Sequence, residues 1–301
     1  MRVFIAGATG AIGRPLVSQL VKAGHAVTGM VRDEKSAQQL RDQGASAQIA
    51  DALDARAVHN AVARSSPDVV INQLTSLPKR YTPETMNAAT AGDHRLRGEG
   101  GAHLQAAAAA AGTKRYILQS CAFWYEPGAG LADESASLAI DTTPYISQGS
   151  RFYRDLENAA NAVHGPEAVF LRYGFLYGPG TWYARDGDAA DQVRQQQSPI
   201  VGDGQGVWSW VHVEDAAAAA VLALNRGTAG AYNIVDDDPS PVRVWLPAFA
   251  RWLGAPAPPQ ITLELAGDPD FIYYGTRSRG ASNTKAKREL GFQPRRLEWL
   301  K

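Results

Sequence analysis

The fold is decided by the stretch from Arg2 to Arg14, which reads "RVFIAGATGAIGR". It opens with a short apolar run that stops at Gly7, as a buried strand of a parallel sheet does. The apolar residues that follow have helical spacing, at Ile12, Leu16, Leu20 and Val21. A strand, a glycine-rich turn and an amphipathic helix in this order predict the first half of a β–α–β unit.

Three glycines, Gly7, Gly10 and Gly13, mark the turn between this strand and this helix. The first allows a tight turn, the second lets backbone amides approach a pyrophosphate, and the third lets the helix pack closely on the strand. The helix N-terminus adds free amides and the positive end of its dipole. A tight turn that binds nothing is the alternative. We predict a dinucleotide-binding loop, formed by Gly7, Thr9, Gly10, Ala11, Ile12, Gly13 and Arg14.

The same alternation of strand and helix continues along the chain. Strand-like runs are "AVTGMVR" (26–32), "SAQIA" (46–50), "DVVIN" (68–72), "KRYILQS" (114–120) and "EAVFLRYG" (167–174). Helical segments separate them, which implies right-handed crossovers and a parallel sheet covered on both faces. The sequence therefore predicts an α/β protein with a Rossmann-type doubly wound parallel sheet.

The composition and the periodicity of the sequence change near Tyr177. The segments "YGPGTWYARDGD" (177–188) and "VGDGQGVWSW" (201–210) are rich in glycine and aromatic residues and have little periodicity. A further strand candidate, "GAYNIVD" (230–236), lies beyond them. We predict an NADP-binding domain over residues 1–176 and a smaller C-terminal substrate-binding region over 177–301, part of which packs back on the sheet.

The end of the second strand bears on the choice of coenzyme. An acidic residue there would hold the ribose hydroxyls of NAD, whereas an arginine suits the 2′-phosphate of NADP. Here Val31 occupies the acidic position and Arg32 follows, with Arg14 as a second candidate for the phosphate. The neighbouring Asp33 keeps open the alternative that Arg32 is a solvated surface residue. The sequence favours NADP(H), and NAD(H) stays possible.

Composition excludes several classes of partner. Thirty basic residues balance thirty acidic ones, so there is no electrostatic case for nucleic acid or an anionic membrane. No signal peptide or membrane span is apparent, and the single cysteine, Cys121, fits a reducing cytoplasm. The six histidines show no metal-ligand spacing. We expect a cytoplasmic protein without a metal, which acts on a small molecule; its oligomeric state stays open.

Further motifs carry a family resemblance over nearly the whole chain. They are "GATGAIG", "ADALD", "DVVINQLT", "AAGTKRYILQS", "LRYGFLYGPGT", "VHVEDAAAAA" and "SNTKAKRELGFQP". Together they resemble the extended short-chain dehydrogenase/reductases, which include nucleotide-sugar epimerases and dehydratases. The resemblance implies that Asp51 and Ala52 lie beside the adenine and that Gln73, Leu74 and Thr75 pass the ribose and pyrophosphate. It also implies that Ser120, Tyr173 and Gly174 approach the nicotinamide.

One stretch, "PYISQGSRFYRDLE" (144–157), departs from the family. Members usually carry a tyrosine, a lysine four residues later and an acidic residue after four more. Counting back from Glu157 puts Tyr153 at the lysine position and Gly149 at the tyrosine position, where we expect a gap. Cys121 lies about where the assisting serine belongs, and we expect Tyr145 to precede the helix. The catalytic residue is unknown, with Ser120, Cys121 and Tyr145 as weak candidates.

Aromatic residues dominate the segments where the family binds its substrates. We predict substrate contacts from Phe123, Trp124, Tyr125, Tyr177 and Trp182. The combination is similar to the atypical, tyrosine-lacking ketoreductases of actinomycete antibiotic pathways. It implies an NADPH-dependent ketoreductase for a bulky aromatic ketone, such as an angucyclinone-like polyketide, with substrate-assisted proton transfer. An epimerase or dehydratase of nucleotide sugars and a catalytically silent NADP-sensing protein are the alternatives.

Overall fold

The computed structural model describes residues 1–300. The strands are β1 Arg2–Ala6, β2 Ala26–Val31, β3 Ser46–Ile49, β4 Val69–Asn72, β5 Arg115–Cys121, β6 Glu167–Tyr173, β7 Phe175–Tyr177, β8 Ile200–Val201, β9 Val207–Trp208, β10 Trp210–His212, β11 Gly230–Ile234, β12 Ser240–Pro241 and β13 Gln260–Ile261. The helices are α1 Gly13–Lys22, α2 Glu34–Asp42, α3 Ala55–Ser65, α4 Pro83–Arg95, α5 Gly101–Ala110, α6 Pro144–Ala162, α7 Asp188–Arg194, α8 Val213–Leu222, α9 Val242–Leu253, α10 Leu263–Ala266 and α11 Pro269–Thr276. A π-helical turn, Leu96–Gly100, joins α4 to α5.

Seven strands form one parallel sheet in the order β11-β6-β5-β4-β1-β2-β3. The strand order reverses between β1 and β4, and ligands of open α/β sheets bind in the crevice at such a point. The predicted Rossmann-type α/β fold is confirmed. The strand candidate at 230–236 is the seventh member of the sheet, since Gly230 to Ile234 pair in parallel with β6.

The sheet is covered on both faces because its strands are apolar on both sides. In β1, Val3 and Ile5 face a core that includes α1 and α8, whereas Phe4 and Ala6 face α3 and α5. Half of helix α8 is alanine, the run from 216 to 220, and these small side chains let it pack closely against α1. Both helices rest on the face of the sheet behind the glycine loop. The C-terminal half of the chain thus helps to hold the loop in place.

A second cluster, the aromatic cluster, lies beyond β6. Its largest buried members are Tyr177, Tyr183, Trp208, Trp210, Trp245, Phe249 and Trp299. The short strands β7 and β10 pair in parallel beneath it, and β12 pairs antiparallel with β9. Such large rings bury much apolar surface in a segment with little regular structure. This packing explains how a region without clear periodicity is ordered.

Helix α6 runs for 19 residues beside β5 and β6. We expected Tyr145 to precede it, but the helix begins at Pro144, so Tyr145 lies in its first turn. Proline is well tolerated at a first helical position. Asp270 of α11 caps the helix from outside, accepting hydrogen bonds from the backbone amides of Tyr145 (3.2 Å) and Ile146 (3.1 Å). This cap fixes the C-terminal region against α6.

No helix within residues 1–300 has both the length and the apolar character needed to cross a bilayer.

Candidate active site

The glycine loop has the backbone that a pyrophosphate site requires. Gly7 adopts a positive φ of 84°, and a Cβ atom there would collide with the backbone of Gln73. A Cβ atom at Gly13 would run into the backbone of Gly7 and Ala8. Helix α1 begins at Gly13, and no side chain caps its first amides. The loop therefore presents N–H groups at a helix N-terminus on a surface kept free of side chains, which fits a dinucleotide.

An unpaired acceptor lies next to this loop. The Gln73 amide donates a hydrogen bond from Nε2 to the Tyr173 hydroxyl (3.0 Å), and both side chains are buried. The Oε1 atom of the same amide is buried and has no partner within residues 1–300. A buried acceptor costs free energy unless something donates to it. A bound coenzyme with a polar hydrogen in this crevice would supply that donor.

The remaining ribose and nicotinamide residues lie at the carboxyl ends of β4 and β6. Leu74 is buried, and the exposed Thr75 donates its hydroxyl hydrogen to the carboxylate of Asp93 (3.1 Å). Gly174 directly follows β6, where a Cβ atom would strike the backbone just before β10. Gly174 is therefore required for the close approach of the backbone at Ser209, and Thr75 is the exposed member of this group.

The end of β2 carries an exposed arginine. Arg32 follows the buried Val31, and Ala50 donates a backbone hydrogen bond to the Val31 carbonyl (2.9 Å). The carboxylate of Asp33 caps α2, where it accepts hydrogen bonds from the amide (2.8 Å) and hydroxyl (3.0 Å) of Ser36. These hydrogen bonds lower the pKa of Asp33. Only the guanidinium is left to face a ligand at this strand end.

Three other residues that the sequence predicts to contact the nucleotide are Asp51, Ala52 and Arg14. Asp51 is exposed and accepts a hydrogen bond from the backbone of Leu53 (2.9 Å), and Ala52 is buried. Arg14 is also exposed, and its Nε donates to the Thr9 carbonyl (2.8 Å). This bond holds the Arg14 side chain across the glycine loop.

The catalytic face of α6 contains no gap. We expected one at Gly149, but the indole of Trp124 fills the space that a side chain there would need. Trp124 is buried, and its Nε1 donates a hydrogen bond to the hydroxyl of Tyr274 (2.6 Å). Glycine is the one residue that permits this approach, since a Cβ atom would overlap the ring. The place of the family's proton donor is therefore taken by an apolar wall.

Ser120 is committed to a buried ion pair. Its hydroxyl donates to Glu157 Oε1 (2.6 Å), and Arg172 binds the same carboxylate in a forked arrangement (2.8 and 2.6 Å). Although burial opposes it, this pairing raises the pKa of Arg172. The Tyr125 hydroxyl accepts a hydrogen bond from Arg172 (3.0 Å) and donates to Asn233 (2.6 Å). Ser120 and Tyr125 thus belong to a structural network between β5, α6, β6 and β11.

The other candidate acids are held in their protonated forms. Burial raises the pKa of Cys121 and of Tyr153. Burial also raises the pKa of Tyr145 to about 12, and the pKa of Tyr274 rises for the same reason. No neighbouring cation lowers any of them into the range of an efficient general acid near neutral pH.

Half-buried aromatic rings lie in two stacked pairs, one of which includes the neighbour of Trp124 in the chain. Phe123 stacks on Phe175 (4.6 Å between ring centroids), and Tyr81 stacks on Trp182 (4.5 Å). We call the group formed by Tyr81, Phe123, Trp124, Phe175 and Trp182 the aromatic chamber, and three of the predicted substrate contacts, Phe123, Trp124 and Trp182, belong to it. Tyr125 and Tyr177 do not, because both are fully buried, the latter against His212 and Trp299. For Tyr125 and Tyr177, residue type predicted an aromatic contact but not the direction in which the ring points.

Sequence reasoning missed a buried ion pair on the opposite side of the chamber. Arg97 Nε donates to Asp93 Oδ2 (2.7 Å), and both side chains are buried. The arginine sits on the π-helical turn 96–100, and such turns are often found at functional sites. Two residues of the segment after β4 also bind Asp93, namely Thr75 (3.1 Å) and the amide of Ser76 (2.5 Å). An acidic and a basic residue four positions apart, Asp93 and Arg97, were the available signal, within a helical segment that also carries Glu84, Arg95 and Glu99.

No three His, Cys, Asp or Glu side chains within residues 1–300 are grouped to hold a metal ion.

Comparison with known proteins agrees with this geometry. Residues 3–235 match the model of the NAD dependent epimerase/dehydratase family. The chain is 42% identical to a 3-diazoavenalumate denitrifying reductase of Streptomyces sp, over 99% of this chain and 98% of that protein. It is 25% identical to 4-hydroxy-2-methyl-3-oxo-4-farnesyl-3,4-dihydroquinoline-1-oxide ketoreductase of Stigmatella aurantiaca, over 85% of this chain and 75% of that one.

Among solved structures, the UDP-glucose 4-epimerase of Thermus thermophilus in complex with NAD has a TM-score of 0.73. It is 24% identical, and the match covers 99% of this chain and 96% of that one. The chain therefore belongs to the NAD dependent epimerase/dehydratase family. With reductases among its relatives, it is an oxidoreductase of the NAD(P)-dependent kind.

Proposed function

We propose that the protein is an NADPH-dependent reductase whose substrate accepts a hydride without a proton from the protein. The observation that carries this proposal is the Trp124 indole in the place of the family's tyrosine. The hydroxyls and the thiol around the chamber have raised pKa values, so none replaces that acid. In this proposal residues 1–176 hold the coenzyme and 177–301 cover the substrate, in the cytoplasm.

NADP(H) is favoured over NAD(H) by the groups at the end of β2. The guanidinium of Arg32 is exposed, and the only adjacent carboxylate, that of Asp33, is occupied as a helix cap. Val31 offers no acceptor for the ribose hydroxyls of NAD. Arg32, with Arg14, would bind the 2′-phosphate, and Asp51 and Ala52 would lie beside the adenine. When bound, the reduced nicotinamide supplies the hydride.

Magnitudes decide whether a reductase can work without a general acid. A positioned acid contributes about 10²–10⁴-fold, or roughly 3–5 kcal/mol. Holding donor and acceptor in a near-attack geometry contributes about 7–11 kcal/mol. The glycine loop and the aromatic chamber supply orientation, which is the larger of the two effects. The missing acid then matters least for an acceptor that needs no proton.

An aromatic diazonium carbon is such an acceptor. When it receives a hydride, a C–H bond forms, the C–N bond breaks, and dinitrogen leaves with the bonding pair. One hydride and one diazonium ion give an arene and dinitrogen, so charge and atoms balance without a proton. The relative that is 42% identical over almost its whole length is named for removing nitrogen from a diazo compound. We therefore propose reductive removal of a diazo group as the reaction.

The chamber suits this substrate in two ways. Its walls are flat rings, namely Tyr81, Phe123, Trp124, Phe175 and Trp182, which offer stacking surface to an aromatic molecule. The faces of such rings also attract a cation, by about 0.5–2 kcal/mol. These ring faces would stabilise a diazonium ion, while the nearby carboxylate of Asp93 is paired with Arg97, Thr75 and Ser76.

A bulky aromatic ketone, as in an angucyclinone-like polyketide, is the second candidate. The relative at 25% identity is named as a ketoreductase of a substituted quinoline. A neighbouring hydroxyl of the substrate would stabilise the oxyanion, and water would complete proton transfer. An epimerase or dehydratase is less well supported, because both reactions need the base that Trp124 displaces, and the epimerase structures share the fold alone. A silent NADP-sensing protein would bind the coenzyme without turnover.

The test uses purified protein and NADPH deuterated at its transferable position. One arm adds a carboxylated arenediazonium salt, and the other a polycyclic aromatic hydroxyketone. We expect one dinitrogen released for each NADPH oxidised in the first arm, with deuterium on the former diazonium carbon. Deuterium on a carbinol carbon in the second arm alone would support the ketone instead. Tight coenzyme binding without turnover in either arm would contradict both reductase reactions.

A further inference from the structure

A buried arginine at the chamber has unused donors. Arg97 is 4% exposed, and its Nε is bound to Asp93, but neither Nη nitrogen has an acceptor within residues 1–300. These nitrogens are not fully enclosed by protein atoms either. A guanidinium is costly to bury unless its donors are paired. The free Nη groups are therefore available to an oxygen atom that enters the chamber.

The position of Arg97 suggests which oxygen that is. Its guanidinium carbon lies 5.5 Å from the ring centroid of Tyr153, the residue at the family's lysine position. Its charge also acts on Cys121 at the end of β5. The positive charge missing from α6 is thus present at the same place, but it is supplied by the turn between α4 and α5.

We propose that Arg97 replaces the absent lysine by donating hydrogen bonds from its Nη groups to a hydroxyl of the nicotinamide ribose. Asp93 orients it, because the carboxylate binds Nε and leaves the two Nη groups free. The other oxygen of Asp93 binds Thr75 and Ser76, so the arginine and the segment predicted to pass the ribose move together. Arg97 is a positioning residue in this scheme and takes no part in proton transfer. The inference rests on the proposed function, since it requires a nicotinamide coenzyme.

The experiment measures NADPH binding by fluorescence titration, with no substrate present. Because hydrogen bonds to charged groups contribute strongly, we expect Arg97→Met to raise the dissociation constant about 10- to 100-fold. Arg97→Lys keeps a charged donor and should stay within about threefold of the original protein. Since Arg97→Met leaves Asp93 buried without a partner, the double variant Arg97→Met/Asp93→Asn repeats the measurement in a protein without that unpaired charge.

Arg95→Met is the matched control, because this exposed arginine on the same helix pairs only with Glu99 and should leave binding unchanged. Turnover of the double variant separates the two possible oxygens. Weaker coenzyme binding with an unchanged KM for the substrate supports the ribose. Unchanged NADPH binding with a raised KM would assign the Nη groups to the substrate and overturn the proposal, as would a loss of thermal stability alone. If the original protein bound no nicotinamide coenzyme, the proposed function itself would fail.

Discussion

The glycine loop and the catalytic face of α6 border one crevice, yet they differ in how far each keeps the family pattern. The loop retains all three glycines. A Cβ atom at Gly7 or Gly13 would collide with backbone atoms, and one at Gly10 would lie close to the Gly7 carbonyl oxygen. Helix α6 has lost both the tyrosine and the lysine. The Trp124 indole fills the space beside Gly149, and the Arg97 guanidinium lies 5.5 Å from the ring centroid of Tyr153. Phosphate binding depends on backbone shape, whereas proton donation depends on a single side chain. The second can therefore be exchanged while the first is preserved.

The largest effect on coenzyme binding should come from a substitution in the glycine loop. Gly13→Ala places a Cβ atom against the backbone of Gly7 and Ala8, which cannot move without opening the loop. Strain of about 1–3 kcal/mol and the lost loop geometry should weaken NADPH binding about 100-fold, as measured by calorimetry. Gly92→Ala is the control, since it lies in α4 with no atom within 4 Å of its Cβ position. Equal binding by both variants would show that the loop does not hold the coenzyme.

The next test concerns the choice between NADPH and NADH at the end of β2. Arg32→Ala removes the exposed guanidinium that we assign to the 2′-phosphate. We expect the dissociation constant of NADPH to rise about 10- to 50-fold and that of NADH to change less than about twofold. Arg41→Ala, an exposed arginine of α2 paired with Glu34, serves as the control. A similar loss for both coenzymes would assign Arg32 a structural role.

A smaller effect, on stability, is expected from a substitution in α6, where the family pattern is lost. Gly149→Ala forces a Cβ atom into the Trp124 indole, so the free energy of unfolding in urea should fall by about 1–3 kcal/mol. Adding Trp124→Leu should recover part of that loss, because the smaller side chain can move aside. A glycine in an ordinary helix interior behaves in the opposite way, since alanine there stabilises by about 0.5–1 kcal/mol. Stabilisation by Gly149→Ala would mean that the ring does not occupy this space.

The smallest effect tests the absence of an acid. Tyr145→Phe and Tyr153→Phe should each change kcat less than about threefold, since neither hydroxyl donates a proton. The pKa of Tyr145 is raised to about 12, so kcat should stay flat from about pH 6 to 10. Because this folded-state pKa lies above the unfolded value, any stability that the protonated hydroxyl gives is lost only as pH rises toward 12. A tenfold loss in either variant would contradict the acid-free mechanism.

The elements that follow local rules could be predicted from the chain. Alternating apolar runs and glycine stops gave the parallel sheet, and the spacing of Gly7, Gly10 and Gly13 gave the loop. The predicted strand at 230–236 gave no sign of its neighbour, because pairing with β6 is a contact between distant segments. The aromatic residues after Tyr177 indicated a binding region. Their division between the chamber and the aromatic cluster depends on which ring faces inward.

The sequence predicted only part of the candidate site, because the rest depends on contacts between distant segments. Counting along α6 showed that the tyrosine and lysine were missing, since helical spacing is a property of the sequence alone. That count could not show that a ring 25 residues earlier fills the resulting space, or that Arg97 brings back the charge from another helix. The sequence also could not show that the hydroxyl of Ser120, a predicted nicotinamide contact, donates to the buried carboxylate of Glu157.

The class of fold, the shape of the glycine loop and the loss of two catalytic side chains can all be read from the order of residues. Each of these depends on residues close together in the chain, whose conformational preferences act locally. The groups beside the positions of the lost side chains depend instead on contacts between distant segments. Trp124, Asp93 and Arg97 meet α6 through packing, and packing is set by volume and charge among residues that the chain order keeps apart.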